Sequence, residues 1–101
     1  MGTTISVPQR DVAPGGSKVV SAGGKQIALF NVGGTFYAME NACAHRGGPL
    51  GEGSLDGTTV TCPWHAWEYD VATGVCQMND KIKLATYPVR TEHDQVIIEV
   101  P

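Results

Sequence analysis

Two Cys/His pairs constrain this chain before anything else does. Cys43-Ala44-His45 is answered by Cys62-Pro63-Trp64-His65, so any fold must leave both segments as loops able to face one another. The chain has three Cys and three His, and four of these six side chains fall in the two pairs. Both residue types are metal ligands when deprotonated. Gly47 and Gly48 let backbone approach a bound group closely, and Pro63 fixes φ directly after Cys62.

The rest of the sequence reads as a frame for these loops. Thirteen Gly and six Pro break 101 residues into short runs, which favours turns and strands over helices. Ile5-Ser6-Val7 and Lys18-Val19-Val20 are short strands. Lys25 to Asn31 alternates Ile27, Leu29 and Asn31 against Gln26, Ala28 and Phe30, with apolar residues on both faces. Val32-Gly33-Gly34 supplies a tight hairpin, and Thr35 to Met39 returns as a strand. Asn41 to Gly57 has no apolar period and reads as one long ordered loop. Thr58 to Thr61 leads into Cys62, and Trp67 to Val71 leads away. Tyr87-Pro88-Val89-Arg90 is a short strand or edge segment, because Pro88 has no N–H for a ladder. Gln95 to Val100 is the clearest strand of the chain. About nine strands with no amphipathic helix predict an all-β fold, an antiparallel sandwich or barrel.

Length predicts a single domain over 1–101. The formal charge of −3 disfavours nucleic acid or an anionic membrane as partner. No stretch has signal-peptide or membrane-span character, which points to the cytoplasm, where thiols stay reduced. Three cysteines cannot all pair internally, so thiols used as ligands are favoured over disulfides.

Two metal readings compete. One is a structural zinc ion with Cys₂His₂ ligation, but zinc fingers usually draw two Cys from one element and two His from another. Here each loop offers one of each. That mixture suits a dinuclear site, in which each loop reaches both metals.

At these residues the sequence resembles a known family. Cys43-Ala44-His45-Arg46-Gly47-Gly48-Pro49-Leu50 and Cys62-Pro63-Trp64-His65-Ala66-Trp67 are similar to the two cluster-binding boxes of soluble, low-potential Rieske-type ferredoxins. Tyr69-Asp70-Val71-Ala72-Thr73-Gly74 and Tyr87-Pro88-Val89 extend the likeness over most of the chain. The resemblance implies a [2Fe-2S] cluster, one per chain, with Cys43 and Cys62 on one iron and His45 and His65 on the other. It also implies an antiparallel β base carrying an inserted cluster-binding subdomain, here about 41–69.

The resemblance also bears on the potential. Rieske centres span about −150 to +300 mV. High-potential members carry an extra cysteine in each box. The matching positions are Gly48 and Trp64, so that disulfide is excluded. Trp67 stands where those members place a serine hydroxyl. Fewer donors to sulfur predict the low end of the range. Tyr69 matches a tyrosine that donates to the first ligand cysteine, and packing its ring in a strand is the competing role. Pro49 and Leu50 are expected to cover the cluster. Trp64 and Trp67 are expected either to shield it or to form an apolar docking patch. The family's third loop, often proline-rich, corresponds to Gln77 to Ile82, which lacks proline and leaves Met78 to fill that wall. Cys76 reads as a small buried or half-buried residue, not a fifth ligand, and His93 as a solvated turn residue.

The implied function is a soluble, monomeric one-electron carrier, not an enzyme. It would take electrons from an NAD(P)H-linked flavoprotein reductase and pass them to a terminal, aromatic-ring-hydroxylating oxygenase, docking transiently near His45 and His65. A mononuclear iron site of two His and a carboxylate is beyond this chain, since His93 is the one histidine left over. The alternative is a permanently docked redox subunit of a larger reductase, such as nitrite reductase.

Overall fold

The computed structural model describes residues 3–22, 24–42, 48–64 and 67–100. Within them the chain forms ten strands, β1(Thr3–Pro8), β2(Ser17–Ala22), β3(Lys25–Val32), β4(Thr35–Glu40), β5(Ser54–Asp56), β6(Thr59–Thr61), β7(Glu68–Asp70), β8(Thr86–Tyr87), β9(Val89–Glu92) and β10(Gln95–Val100), and no α-helix. They build three antiparallel sheets in the orders β1-β10-β9, β2-β3-β4-β8 and β5-β6-β7.

The middle sheet is sandwiched because β3 is apolar on both faces. Ile27, Ala28, Leu29 and Phe30 are all fully buried. Side chains alternate along a strand, so successive residues serve opposite layers. Ile27 and Leu29 join Val7, Phe36, Ala38, Val96 and Ile98 in a first core against β1 and β10. Ala28 and Phe30 join Met39, Leu50, Val60, Cys62, Tyr69 and Val71 in a second core against the small sheet. A one-residue slip of β3 would exchange the two sets, so its register is firmly specified.

Local chemistry sets the β3–β4 hairpin. Val32 pairs with Thr35, leaving Gly33 and Gly34 as a two-residue turn. Both take positive φ, 59° and 100°, which L-residues with a Cβ rarely adopt. The buried Asn31 locks the turn, accepting Gly34 N–H at 2.7 Å and donating to Val12 O at 2.8 Å.

Two segments depart from expectation. Tyr87 to Arg90 is not one strand. β8 pairs with β4 in the middle sheet and β9 with β10 in the first sheet, with Pro88 between them. Lacking an N–H, Pro88 cannot continue either ladder as a donor, and the chain changes sheets there. Asn41 to Gly57 is not all loop either. A one-turn 3-10 helix covers Leu50–Glu52, and β5 pairs with β6. Leu50, buried completely, gives the short helix an anchor that no periodicity reveals.

Candidate metal centre

The small sheet delivers Cys62 of the second Cys/His pair. Strand β6 ends at Thr61 and Cys62 follows directly. Cys62 N–H donates to Trp67 O at 2.7 Å, which carries the β6–β7 pairing one residue beyond Thr61. Residue 62 keeps the face of Val60, two positions back. Its side chain therefore enters the second core, where Cys62 is 1% exposed.

The Cys62 sulfur is approached from two sides. Trp64 N–H points at Sγ across 3.4 Å. From the first loop comes Gly48, whose backbone lies so close that a Cβ placed there would sit 2.7 Å from Sγ. The same Cβ would meet Trp64 Cγ at 3.0 Å and Cβ at 3.1 Å. The end of the first loop thus passes directly over the ligand candidate of the second. A buried sulfur that receives a backbone N–H, under a loop with no side chain between them, is what a cluster-ligating thiolate needs. Cys43, His45 and His65 fall outside the described residues. Among the described residues no three His, Cys, Asp or Glu side chains converge on one point.

Tyr69 lies in the middle of the supporting face. It pairs with Val60 on one side and bridges Cys76 on the other. Asp70 N–H to Val75 O and Gln77 N–H to Glu68 O flank that bridge at 2.9 and 2.7 Å. This is the pattern of a non-hydrogen-bonded antiparallel pair, whose side chains lie close together on one face. Tyr69 is 0% and Cys76 1% exposed, so Cys76 is the small buried residue expected. The bond expected between Tyr69 and Cys43 involves a residue outside the described set.

The third wall differs from expectation. Met78 does not fill it, being 63% exposed. Ile82 turns inward instead, half-buried against the second core. A tight turn brings it back: Asn79 Oδ1 accepts Lys81 N–H at 3.1 Å, Asn79 O accepts Ile82 N–H, and Ile82 O accepts Cys76 N–H. Trp67 also packs against this core, whereas Trp64 stays 49% exposed. Of the two tryptophans only Trp64 is left for a surface role. His93 is an exposed turn residue at φ 55°.

The Trp64 N–H donor is absent from any residue-type argument, since a backbone group has no letter of its own. Asn41 was also missed. It is 4% exposed, at the entrance of the first loop, with both side-chain ends hydrogen-bonded. A polar residue between a strand and a ligand pair is the signal that could have found it.

The base carries a cleft of about 400 Å³ lined by Lys25, Glu40, Tyr87 and Val100 among others. Burial raises the Tyr87 hydroxyl pKa above its ordinary value, and the nearby Glu40 carboxylate raises it further. No helix among the described residues is long and apolar enough to cross a membrane.

Comparison with known proteins agrees with this geometry. The Rieske [2Fe-2S] domain family matches residues 3–88. The ferredoxin component of naphthalene 1,2-dioxygenase/salicylate 5-hydroxylase systems from Ralstonia sp. is 35% identical over 91 residues, covering 89% of this chain and 88% of that one. In a solved complex of reduced oxygenase and oxidized ferredoxin in carbazole 1,9a-dioxygenase, one chain superposes with a TM-score of 0.86 at 31% identity, covering 94% of this chain and 91% of that one. A nitrite reductase small subunit, described as putative and NADH-dependent, from Mycobacterium tuberculosis gives 0.90 at 20% identity, covering 100% and 97%. At that identity the likeness concerns the fold alone.

Proposed function

The chain belongs to the Rieske [2Fe-2S] domain family, and from that premise we propose that it is a one-electron carrier of a multicomponent oxygenase system. It takes electrons from an NAD(P)H-linked flavoprotein reductase and passes them to a terminal oxygenase acting on aromatic rings. It performs no substrate chemistry itself and works in the cytoplasm as a monomer. The ferredoxin-component relative and the likeness to a chain of an oxygenase–ferredoxin complex support this reading.

Cys43 and Cys62 would hold one iron and His45 and His65 the other. When bound, the cluster accepts and releases one electron. The protein's task is to hold it without gross movement. Cys62 is fixed by the β6–β7 ladder and a filled core. Trp64 N–H stabilises negative charge on Sγ. One domain spans 1–101, with the cluster-binding subdomain over about 41–69. The core shared by β3, β4 and the small sheet supports its docking on the base.

The observation that carries this proposal is Gly48 lying over the buried Cys62 sulfur. Visible absorbance and EPR of the reduced protein test it. Iron–sulfur bands and an average g value below that of four-cysteine clusters are expected. A colourless, zinc-loaded protein would overturn it.

A further inference from the structure

The first ligand loop leaves the base at Ala42 and returns at Gly48 and Pro49. Its neck is closed by an antiparallel bridge between Ala42 and Pro49. Behind that bridge one residue holds both sides. Asn41 accepts two successive N–H groups, Leu50 on its backbone oxygen and Gly51 on Oδ1, each at 2.8 Å. Asn41 N–H is itself tied to Gln26 O on β3 at 3.1 Å, and its Nδ2 reaches Gln26 Oε1 at 3.4 Å.

Gly51 is shaped for this contact. A Cβ there would run into Val19 Cγ2 and lie 3.1 Å from Asn41 Oδ1. From the other side Ser17 Oγ donates to Gly51 O at 2.7 Å. Leu50, between the two clamped amides, is fully buried in the core that holds Cys62. Two residues before Leu50 stands Gly48, against Cys62 Sγ. The path from Asn41 to the sulfur is thus a short run of chain anchored at both ends.

We propose that Asn41 is a positioning residue for the cluster, its side-chain oxygen fixing Gly51 and so the height at which Gly48 lies over Cys62. The proposal rests on the ligand assignment made above. It does not require Asn41 to touch the cluster.

Asn31 provides a matched control. It too is an asparagine 4% exposed, with Oδ1 accepting a glycine N–H and Nδ2 donating, but it serves the β3–β4 turn of the base. Asn41→Ala, Asn41→Asp and Asn31→Ala are compared with wild type by amide hydrogen exchange, EPR of the reduced state and the rate of cluster loss. In Asn41→Ala the Gly51 amide should exchange at least tenfold faster, the g values should shift, and cluster loss should accelerate several-fold. Asn41→Asp keeps the acceptor and should restore slow Gly51 exchange and a near-wild-type rate of loss. Asn31→Ala should lower the melting temperature while leaving the g values in place. Should Asn41→Ala not fold, Asn41→Ser, whose hydroxyl is one bond shorter than the amide oxygen, carries the same comparison.

Unchanged g values and cluster lifetime in Asn41→Ala overturn the inference, and so does an equal shift in Asn31→Ala. A wild-type protein without iron–sulfur bands overturns the ligand assignment beneath it, and that failure is visible before any variant is made.

Discussion

Gly48 lies so close to Cys62 that one added methyl group would stand 2.7 Å from the Cys62 sulfur. Residues fourteen apart in sequence, one from each ligand loop, are therefore in contact through backbone and thiol rather than through two side chains. Part of this contact cannot yield. The half-exposed Trp64 ring can turn away from a new methyl, but Trp64 Cβ does not move with it, and Cys62 is buried with Val60, Leu50 and Tyr69 in one core. Overpacking of this kind costs roughly 1–3 kcal/mol.

Gly48→Ala is therefore expected to lift the first loop from Cys62 and weaken cluster retention. Iron content per chain and the decay of visible absorbance at fixed temperature measure it. Iron content and decay equal to wild type would show that the loop relaxes freely and that the close approach has no consequence.

Tyr69→Phe removes a hydroxyl from the buried core that Tyr69 shares with Cys62. If that hydroxyl donates to a ligand sulfur, it favours the reduced, more negative cluster. A bond worth about 1 kcal/mol corresponds to roughly 40 mV for a one-electron couple. Protein-film voltammetry should record a fall of that order. An unchanged potential would assign Tyr69 to packing alone.

Adjacent residues of β3 should separate base from site. Leu29 faces the first core and Phe30 the second. Truncating either to alanine should cost roughly 2–5 kcal/mol in urea unfolding. Only Phe30→Ala should also shorten the cluster lifetime, because its face supports Cys62. Equal loss from both would mean that the two cores respond as one.

The Tyr87 hydroxyl gives the base an alkaline limit. Its pKa is raised in the folded state, chiefly by burial and further by Glu40. The folded protein then holds this proton more tightly than the unfolded chain does. The stabilisation is complete below the unfolded value of about 10 and is lost as pH climbs through the folded value. Thermal melting should fall above about pH 10, and Tyr87→Phe should flatten that fall. A Tyr87→Phe protein with the wild-type alkaline slope would place the titration elsewhere.

Much of this protein is determined by its sequence alone, wherever the controlling chemistry is local. Gly33-Gly34 can only be a turn of positive φ. Cys and His at 43, 45, 62 and 65 are residue types able to ligate metal, and one of each per loop is a pattern that reads as two irons rather than one zinc. The alternation of β3, apolar on both faces, announces a strand covered from both sides. What covers each face is a nonlocal matter, and there the tertiary structure decided. It put Ile27 and Leu29 against β10, and Ala28 and Phe30 against the small sheet. It split Tyr87 from Val89 between two sheets at Pro88. It turned Ile82 inward and left Met78 in solvent. The Trp64 N–H at the Cys62 sulfur and the two amides held by Asn41 belong to the same class. Backbone donors have no letter in a sequence, and their partners exist only once distant segments have packed.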